Sequence, residues 1–452
     1  MYNSLILPDL QQMLRENDVQ GMTEFCRALH AAVAAEILEE LSDRDAWTVV
    51  SHSQVARQVE ILRYMSLHSQ VGIVQVADRD QLSKILEEMA PDDRVDIISR
   101  LDHNRVEQIL PLIAQAERND IRRLLSYAED SAGSIMTTEY ASLPLNITVA
   151  EALEQLRQQA PDSETIYYVY ILDEQRHLRG LLSLREILFA AADSQLTDIM
   201  RDAVVSVPVD ADQEFVARQL ARYNFIAIPV VDSNHQLVGI ITHDDVLDVV
   251  QEEATEDAHR LGAVEPLEDS YLETKLMTIA WKRGGWLLFL AVVALFTAEL
   301  LNWFRPSSDA ADWMILFLPL VLASGGNAGS QSATLVIRTI ALGEVLRRQG
   351  GKLVRRELLI GSMLGLSLAC VGFIAADWWF ELGWIRASVV GLTVFLVVLL
   401  GTVCGVLFPL LFRWCGMDPA LMSNPLIAAL IDVVGVAIYY GVRILIVGET
   451  PH

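Results

Sequence analysis

Asp432 stands in the run Asn424-Pro-Leu-Ile-Ala-Ala-Leu-Ile-Asp432-Val-Val-Gly435, inside an apolar stretch that continues to Val447. An isolated carboxylate about two turns into a membrane span costs about 2.5–3.5 kcal/mol on insertion scales, so something must offset it. Asn424, Ala428 and Asp432 follow at i, i+4 and i+8 and share one stripe of a helix, with polar ends and a small residue between them. The cation Arg443 lies on the same run, about three turns away. A stripe facing an aqueous ion pathway is therefore favoured over an aspartate paired with a neighbouring helix.

A second apolar stretch carries Pro319-Leu-Val-Leu-Ala-Ser-Gly325-Gly326-Asn327-Ala-Gly329-Ser-Gln331-Ser332-Ala-Thr334. Glycines and polar side chains at that depth either let helices approach closely, as Gly325-x-x-x-Gly329 does, or turn backbone carbonyls toward a wet cavity. The company of Asn327, Gln331, Ser332, Thr334 and Asp432 favours a pore lining. Glu299, near the outer end of its stretch, is read as reaching the headgroups, with no ion role. No histidine lies between Leu276 and Pro451. Carboxylate, amide and carbonyl oxygens suit hard cations rather than zinc or copper. Such ligands separate one hard divalent cation from another only modestly on charge, and cobalt or nickel should pass as well.

The remaining acids lie before the apolar stretches. Asp244, Asp245, Asp248, Glu252, Glu253, Glu256, Asp257, Glu265, Glu268, Asp269 and Glu273 crowd one run in which Arg260 and Lys275 are nearly the sole counter-charges. On a helix Asp245, Asp248, Glu252 and Glu256 share a face, and like charges about 5 Å apart repel by about 3 kcal/mol at an effective dielectric near 20. Cations would relieve that repulsion; a solvated face is the plainer alternative. Asp92, Asp93 and Asp96 mark a helix start, where carboxylates also suit the local dipole.

The elements that position these residues follow from the charge pattern. The chain has 452 residues and a net charge of −25, with 52% apolar residues. Up to Lys275 there are 49 acidic and 22 basic residues, and from Leu276 onward 10 and 12. An acidic first part thus joins a nearly neutral, apolar second part, which excludes a simple soluble enzyme and leaves no basic patch for nucleic acid. No nucleophile-and-base constellation supports catalysis, and the expected charged partners are cations. Cys26, Cys370, Cys404 and Cys415 lack metal-ligand spacing and are read as reduced packing residues.

Five stretches, about 284–303, 313–337, 358–379, 387–412 and 424–447, each reach the roughly 20 residues that cross a bilayer. Trp281, Trp286, Trp303, Trp313, Trp378, Trp379, Trp384 and Trp414 fall at their ends as an aromatic belt. Lys282, Arg283, Arg338, Arg347, Arg348, Lys352, Arg355, Arg356 and Arg413 fall on one side, Arg305 and Arg386 on the other. The positive-inside rule makes the first side cytoplasmic and places the tail after Val447 outside. No cleavable signal is read at the mixed-charge N-terminus, so the acidic part is expected in the cytoplasm.

Residues 135–250 hold a repeat. Ile135-Met136 matches Ile199-Met200, Ser142-Leu-Pro-Leu145 matches Ser206-Val-Pro-Val209, and Gly180-Leu-Leu-Ser-Leu-Arg-Glu-Ile-Leu188 matches Gly239-Ile-Ile-Thr-His-Asp-Asp-Val-Leu247. A five-residue insertion around Ala160 to Glu164 distinguishes the first copy, and each unit reads strand, helix, strand, strand, helix. This resembles a tandem cystathionine-β-synthase (CBS) pair. That resemblance implies a regulatory or dimerisation module, and places Ser183 with Glu186 and Thr242 with Asp245 at the hydroxyl and acid that meet ribose where such a pair holds ATP. Before it, apolar residues at 3, 4 and 7 spacing predict a small superhelical array of short helices. The fold class expected is therefore multidomain: an acidic α-helical superhelical domain (1–131), an α/β CBS pair (132–197 and 198–250), an acidic connecting helix (251–280) and a five-helix transmembrane domain (281–452).

Gly-Gly-Asn-x-Gly-x-Gln-Ser in the second span, Asn-Pro-(x)6-Asp in the fifth, the CBS pair and the acidic helical domain together resemble the MgtE family of bacterial magnesium channels over essentially the whole length. The resemblance implies a homodimer in the bacterial inner membrane that takes up Mg2+, with the pore on the two-fold axis. It implies a hydrated ion held by two copies of Asp432, helped by Asn424 and carbonyls near Gly325 and Ala428. It also implies closure by cytosolic Mg2+ bridging Asp92 and Asp96, the CBS residues Asp212, Asp245 and Asp248, the plug-helix residues Glu253, Glu256 and Asp257, and Asp418. Where a relative can carry an acid just before Phe225 this chain has Asn224, so an ion there is expected to be weaker or absent. A CBS-regulated transporter of another ion or an osmolyte is the alternative, although an anion route would want Arg or Lys inside the spans.

Overall fold

The computed structural model describes residues 3–267, 271, 274–303, 312–341, 350–421 and 424–448. Glu268, Asp269, Glu273, Arg305, Arg347 and Arg348 lie outside the described residues. The chain forms two compact units, Met1–Gln251 and Glu252–His452.

The first unit opens with ten short helices, α1 to α10, among the described residues 3–124. Their starts are set by capping: Ser42, Ser66 and Asp78 each accept from a backbone N–H three residues on, and Pro91 opens α8 (Pro91–Ser99). Ile85, Leu86, Met89, Val95, Ile97 and Ile98, apolar residues of α7 (Arg79–Glu88), α8 and the turn between them, are all buried. Arg94 is fully buried; it donates to Glu117 at 2.5 Å and to the Met89 carbonyl at 2.6 Å, tying α8 to α10 (Gln115–Leu124). The same hydrophobic core runs on through Ile121, Leu124, Ala132 and Met136 to Val216, Ile241, Val246 and Val249.

Each repeat folds as expected. Parallel β1 (Tyr140–Pro144) and β2 (Thr165–Leu172) are joined by antiparallel β3 (Leu178–Ser183), with α11 (Val149–Gln159) between β1 and β2 and α12 (Leu184–Phe189) after β3. After the short α13 (Leu196–Ile199), the second copy repeats the pattern as β4 (Val207–Pro208), α14 (Gln213–Tyr223), β5 (Ala227–Val231) and β6 (Leu237–Thr242). Tyr170, Leu172, Leu178, Val231, Leu237 and Ile240 form a core shared by the two copies. The insertion in the first copy forms a single tight turn, Ala160–Asp162, just before Glu164.

The last helix of the second repeat does not stop at 250. α15 is one helix from His243 to Leu261, so the acidic run continues the repeat without a break. Ala263 in the left-handed region, at φ 56°, ends it. Among the described residues, the segment expected as a connecting helix over 251–280 is helical to Leu261 and again from Leu276.

The second unit holds α16 (Leu276–Trp303), α17 (Asp312–Ala341), α18 (Gly350–Ile374, continued by a π-helical turn Ala375–Trp379), α19 (Trp384–Trp414) and α20 (Asn424–Val447). Each is long and apolar enough to span a bilayer. α18 starts eight residues before the apolar run does, because its Lys352, Arg355 and Arg356 turn remains helical where the hydrocarbon ends. α19 is the central element: Val389, Val390, Val394, Val397 and Val398 are fully buried. Cys370 and Cys415, read as packing residues, are instead exposed.

Candidate ion pathway and acidic clusters

Within the second unit, α20 lies along α17. Asn424 and Thr334 exchange hydrogen bonds at 3.2 and 3.3 Å, and Ser330 donates to the Asn424 carbonyl at 3.2 Å. One turn on, Ala428 faces Gly326, where an added Cβ would lie 3.3 Å from the Ala428 methyl. Asp432 follows, half-buried, and among the described residues its carboxylate has neither a hydrogen bond nor an ion pair. The stripe predicted from the sequence is thus intact, with an unpartnered acid at its inner end.

The glycines of α17 do something else. The carbonyl of Gly325 packs against Gly401, and a Cβ on Gly405 would stand 2.5 Å from the Gly329 carbonyl. Gly325-x-x-x-Gly329 and Gly401-x-x-x-Gly405 are the facing surfaces of a close helix crossing. Gly325, expected to turn its carbonyl to the pore, is corrected accordingly, because that oxygen is occupied by backbone contact with α19. Ser332 is corrected for a similar reason. It is buried, and its hydroxyl lies 3.0 Å from Glu357 Oε2 and 3.1 Å from the Thr402 carbonyl, away from the pore stripe. Asn327, Gln331 and Thr334, at i, i+4 and i+7, remain exposed on the opposite face of α17.

Glu357 is 8% exposed. Sequence reasoning missed it because it directly follows Arg355 and Arg356 and read as loop. The available signal was its position one residue before an apolar run, where a helix extended by one turn carries it inside.

In the first unit, five carboxylates from three elements converge. Asp92 and Asp93 come from the first turn of α8, Glu164 from the insertion before β2, and Asp244 and Asp245 from the first turn of α15. Arg63, which caps α5 (Val55–Leu62), reaches Asp93 at 3.5 Å, Glu164 at 3.2 Å and Asp244 at 3.4 Å. Asp92 is 8% exposed, and its Oδ1 has no hydrogen-bond partner. Burial, then repulsion from Asp245, Asp93 and Glu164, holds the Asp92 carboxyl well above the usual carboxylate range. Burial also pushes Asp93 up to about 6, against the opposing charge of Arg63. Asp245 is raised chiefly by burial, opposed by its hydrogen bond from Thr242, and the exposed Asp248 is raised by desolvation and by Asp244. The structure therefore brings Asp92 and Asp245 together, and adds Asp93, Glu164, Asp244 and Arg63. Its donor set is all hard oxygen, with one buried oxygen orphaned, which fits a hard cation. Among the described residues, however, no three acid, histidine or cysteine side chains are arranged as a ready-made metal site.

The other predicted regulatory acids are placed apart from this cluster. Asp212 caps α14, accepting from the Phe215 N–H at 3.1 Å. Asp96 is on the exposed face of α8, and Glu253 and Asp257 lie one turn apart, half-buried, on α15. Glu256 and Asp418 are joined, in the second unit, through the guanidinium of Arg260, which pairs with both. Asp418 also caps a short turn through the Ala420 N–H at 2.8 Å. Asn224 closes α14 in the left-handed conformation, at φ 53°, which asparagine tolerates better than most residues.

The two hydroxyl–acid pairs of the repeats are bonded internally. Ser183 Oγ lies 2.7 Å from Glu186 in a capping box, with Arg201 2.7 Å from the other Glu186 oxygen. Thr242 Oγ1 lies 2.5 Å from Asp245 and 2.6 Å from Asp244.

Comparison with known proteins matches this architecture domain by domain. Residues 318–442 match the family profile described as a divalent cation transporter, residues 29–130 the MgtE intracellular N domain, and residues 132–193 and 196–252 CBS domains. The chain is 36% identical to the magnesium transporter MgtE of Thermus thermophilus over 97% of both chains. It is 35% identical to the magnesium transporter MgtE of Enterococcus faecalis over 71% of this chain and 70% of the relative. Among solved structures, the soluble part of a magnesium transporter aligns with TM-score 0.52 at 31% identity, covering 56% of this chain and 99% of that one. The cytosolic domain of the Mg2+ channel MgtE in complex with ATP aligns with TM-score 0.52 at 36% identity, covering 54% and 99%.

Proposed function

The chain belongs to the MgtE family of divalent cation transporters, and from that premise we propose that it carries Mg2+ through a pore built on α17 and α20, with Asp432 as the ion's principal charge partner. The observation that carries this reading is the half-buried, unpartnered Asp432 carboxylate on the stripe it shares with Asn424 and Ala428, while α17 leaves Asn327, Gln331 and Thr334 exposed. Amides exposed on a membrane helix are costly against lipid and suited to a water-filled passage. One carboxylate per chain is a weak site, and a homodimer would double it on the two-fold axis. Asn424 and the Ala428 carbonyl would assist through the ion's water shell, since magnesium dehydrates reluctantly. Gly325 would act by letting α17 and α19 approach.

The soluble acids serve as the sensor in this reading. When cytosolic Mg2+ is abundant, ions neutralise the repulsion among Asp92, Asp93, Glu164, Asp244 and Asp245, and the closed state is selected because it binds them better. Asp96, Asp212, Asp248, Glu253, Glu256, Asp257 and Asp418 are carried over as further regulatory acids. Of these, Asp212, Glu256 and Asp418 already have protein partners that an ion would have to displace. ATP is assigned to the CBS pair on the likeness to the ATP-bound relative, with Ser183, Glu186, Thr242 and Asp245 as its ribose contacts. The bacterial inner membrane, cytoplasmic acidic domains and an outer C-terminus complete the assignment.

The test is Mg2+ influx into proteoliposomes. Asp432→Asn keeps the volume and removes the charge, so influx should fall to background while the protein remains assembled. Wild-type influx in that variant overturns the pore assignment.

A further inference from the structure

Arg63 occupies a position that the family reading does not use. Its guanidinium lies within 3.5 Å of Asp93, Glu164 and Asp244, and through them neighbours Asp92 and Asp245. Five acids thus share one resident cation, and Asp92, buried and with an orphaned oxygen, receives no bond from it. Two consequences follow from charge alone. The cluster keeps a large net negative charge that a divalent cation can neutralise, and the fixed positive charge beside that cation weakens its binding.

We propose that Arg63 sets the magnesium threshold of this cluster, acting as a built-in counter-cation against which Mg2+ must bind. The inference rests on the reading of the cluster as a regulatory cation site. Arg63 is not needed to hold the helical domain to the CBS pair, because the hydrophobic core from Ile85 through Leu124 and Met136 to Val249 is continuous across both. Its effect should therefore track the charge at position 63 rather than the shape of the side chain.

Full-length protein in nanodiscs, titrated with Mg2+ alone, provides the test, with amide hydrogen exchange of segments 91–99 and 243–251 as the readout. Arg63→Gln should move the Mg2+ midpoint for protection down by roughly tenfold, a typical size for coupling between adjacent sites. Arg63→Glu should move it further in the same direction, while Arg63→Lys should leave it near the wild-type value. Arg63 is partly exposed, and metal-free melting of each variant checks that the fold survives. An unchanged or raised midpoint in Arg63→Gln, or an equal shift in Arg63→Lys, overturns the proposal. Asp92→Asn separates the two levels of argument: a raised midpoint there with no response at Arg63 removes this inference alone, and no response to Asp92→Asn removes the cluster as a cation site together with it.

Discussion

Ser332 turns its hydroxyl to Glu357, with Oγ 3.0 Å from Oε2, so the signature of α17 splits between two faces. Asn327 and Gln331 look outward, while Ser332 joins α17 to α18 and, through the Thr402 carbonyl, to α19. Glu357→Ala removes one of the two acceptors of the buried Ser332 hydroxyl, which keeps the Thr402 carbonyl, at a cost of about 0.5–1.5 kcal/mol for the lost hydrogen bond. Glu357→Gln retains the hydrogen-bonding capacity. Melting in detergent should therefore fall clearly for the alanine variant and little for the glutamine variant, with Mg2+ influx per folded molecule preserved in both. Loss of influx without loss of melting temperature would place Glu357 on the ion path instead.

The crossing of α17 and α19 has room for hydrogen only. A methyl on Gly401 would meet the Gly325 carbonyl, which cannot move without unwinding its own helix. Gly401→Ala should destabilise the membrane unit by about 1–3 kcal/mol, the usual cost of overpacking. Gly351→Ala, where nothing lies within 4 Å of the added carbon, is the matched control. Equal melting temperatures for the two variants would rule out the tight crossing.

A pH effect follows from the acid cluster, and its sign is opposite to the usual one for aspartates. Burial, aided by Asp245, Glu164 and Asp244 and opposed by Arg63, pushes Asp93 up to about 6, whereas an unfolded aspartate titrates near 3.9. Between those values the folded protein binds more protons than the unfolded one, so stability falls as pH rises. Asp92 and Asp245, also raised, act in the same direction. In EDTA, wild type should gain more stability on acidification from pH 7.5 to 5 than Asp93→Asn does. Mg2+ needs the ionised carboxylates, so its stabilising effect should be larger at pH 7.5 than at pH 5. Equal pH responses of wild type and Asp93→Asn would refute this.

Arg260 provides a metal-free link between Glu256 on α15 and Asp418 on the loop before α20. Arg260→Gln leaves those two acids without their shared cation. Protease cleavage within residues 252–263 should accelerate in EDTA, and added Mg2+ should restore protection by taking the place of the guanidinium. Cleavage that is fast in the variant at every Mg2+ concentration would show that the acids serve Arg260 rather than a metal.

The large elements were legible because their signals are local. The five apolar runs, the tryptophans at their ends and the matched Gly180 and Gly239 segments all declare themselves within one stretch of chain. The stripe of Asn424, Ala428 and Asp432 was legible too, since helical spacing alone puts those residues on one face. What the sequence could not disclose was pairing across distance. Arg63 lies 101 residues from Glu164 and 181 from Asp244, and nothing in its own helix marks it as their partner. Gly325 carried two opposed meanings, pore carbonyl and packing surface, and only the approach of Gly401 distinguishes them. Glu357 was hidden because hydropathy locates the hydrocarbon boundary, while a helix can begin two turns before it.

The outward polar face of α17 also bears on inheritance. If the amides of Asn327 and Gln331 are satisfied only when a second copy covers them, each pore is made from two gene products. A cell expressing an intact allele and one encoding Asp432→Asn equally would then assemble about half its dimers mixed, with half the pore charge, and only about a quarter fully intact. Such an allele should behave as dominant-negative, whereas an allele that prevents the membrane unit from folding should be recessive.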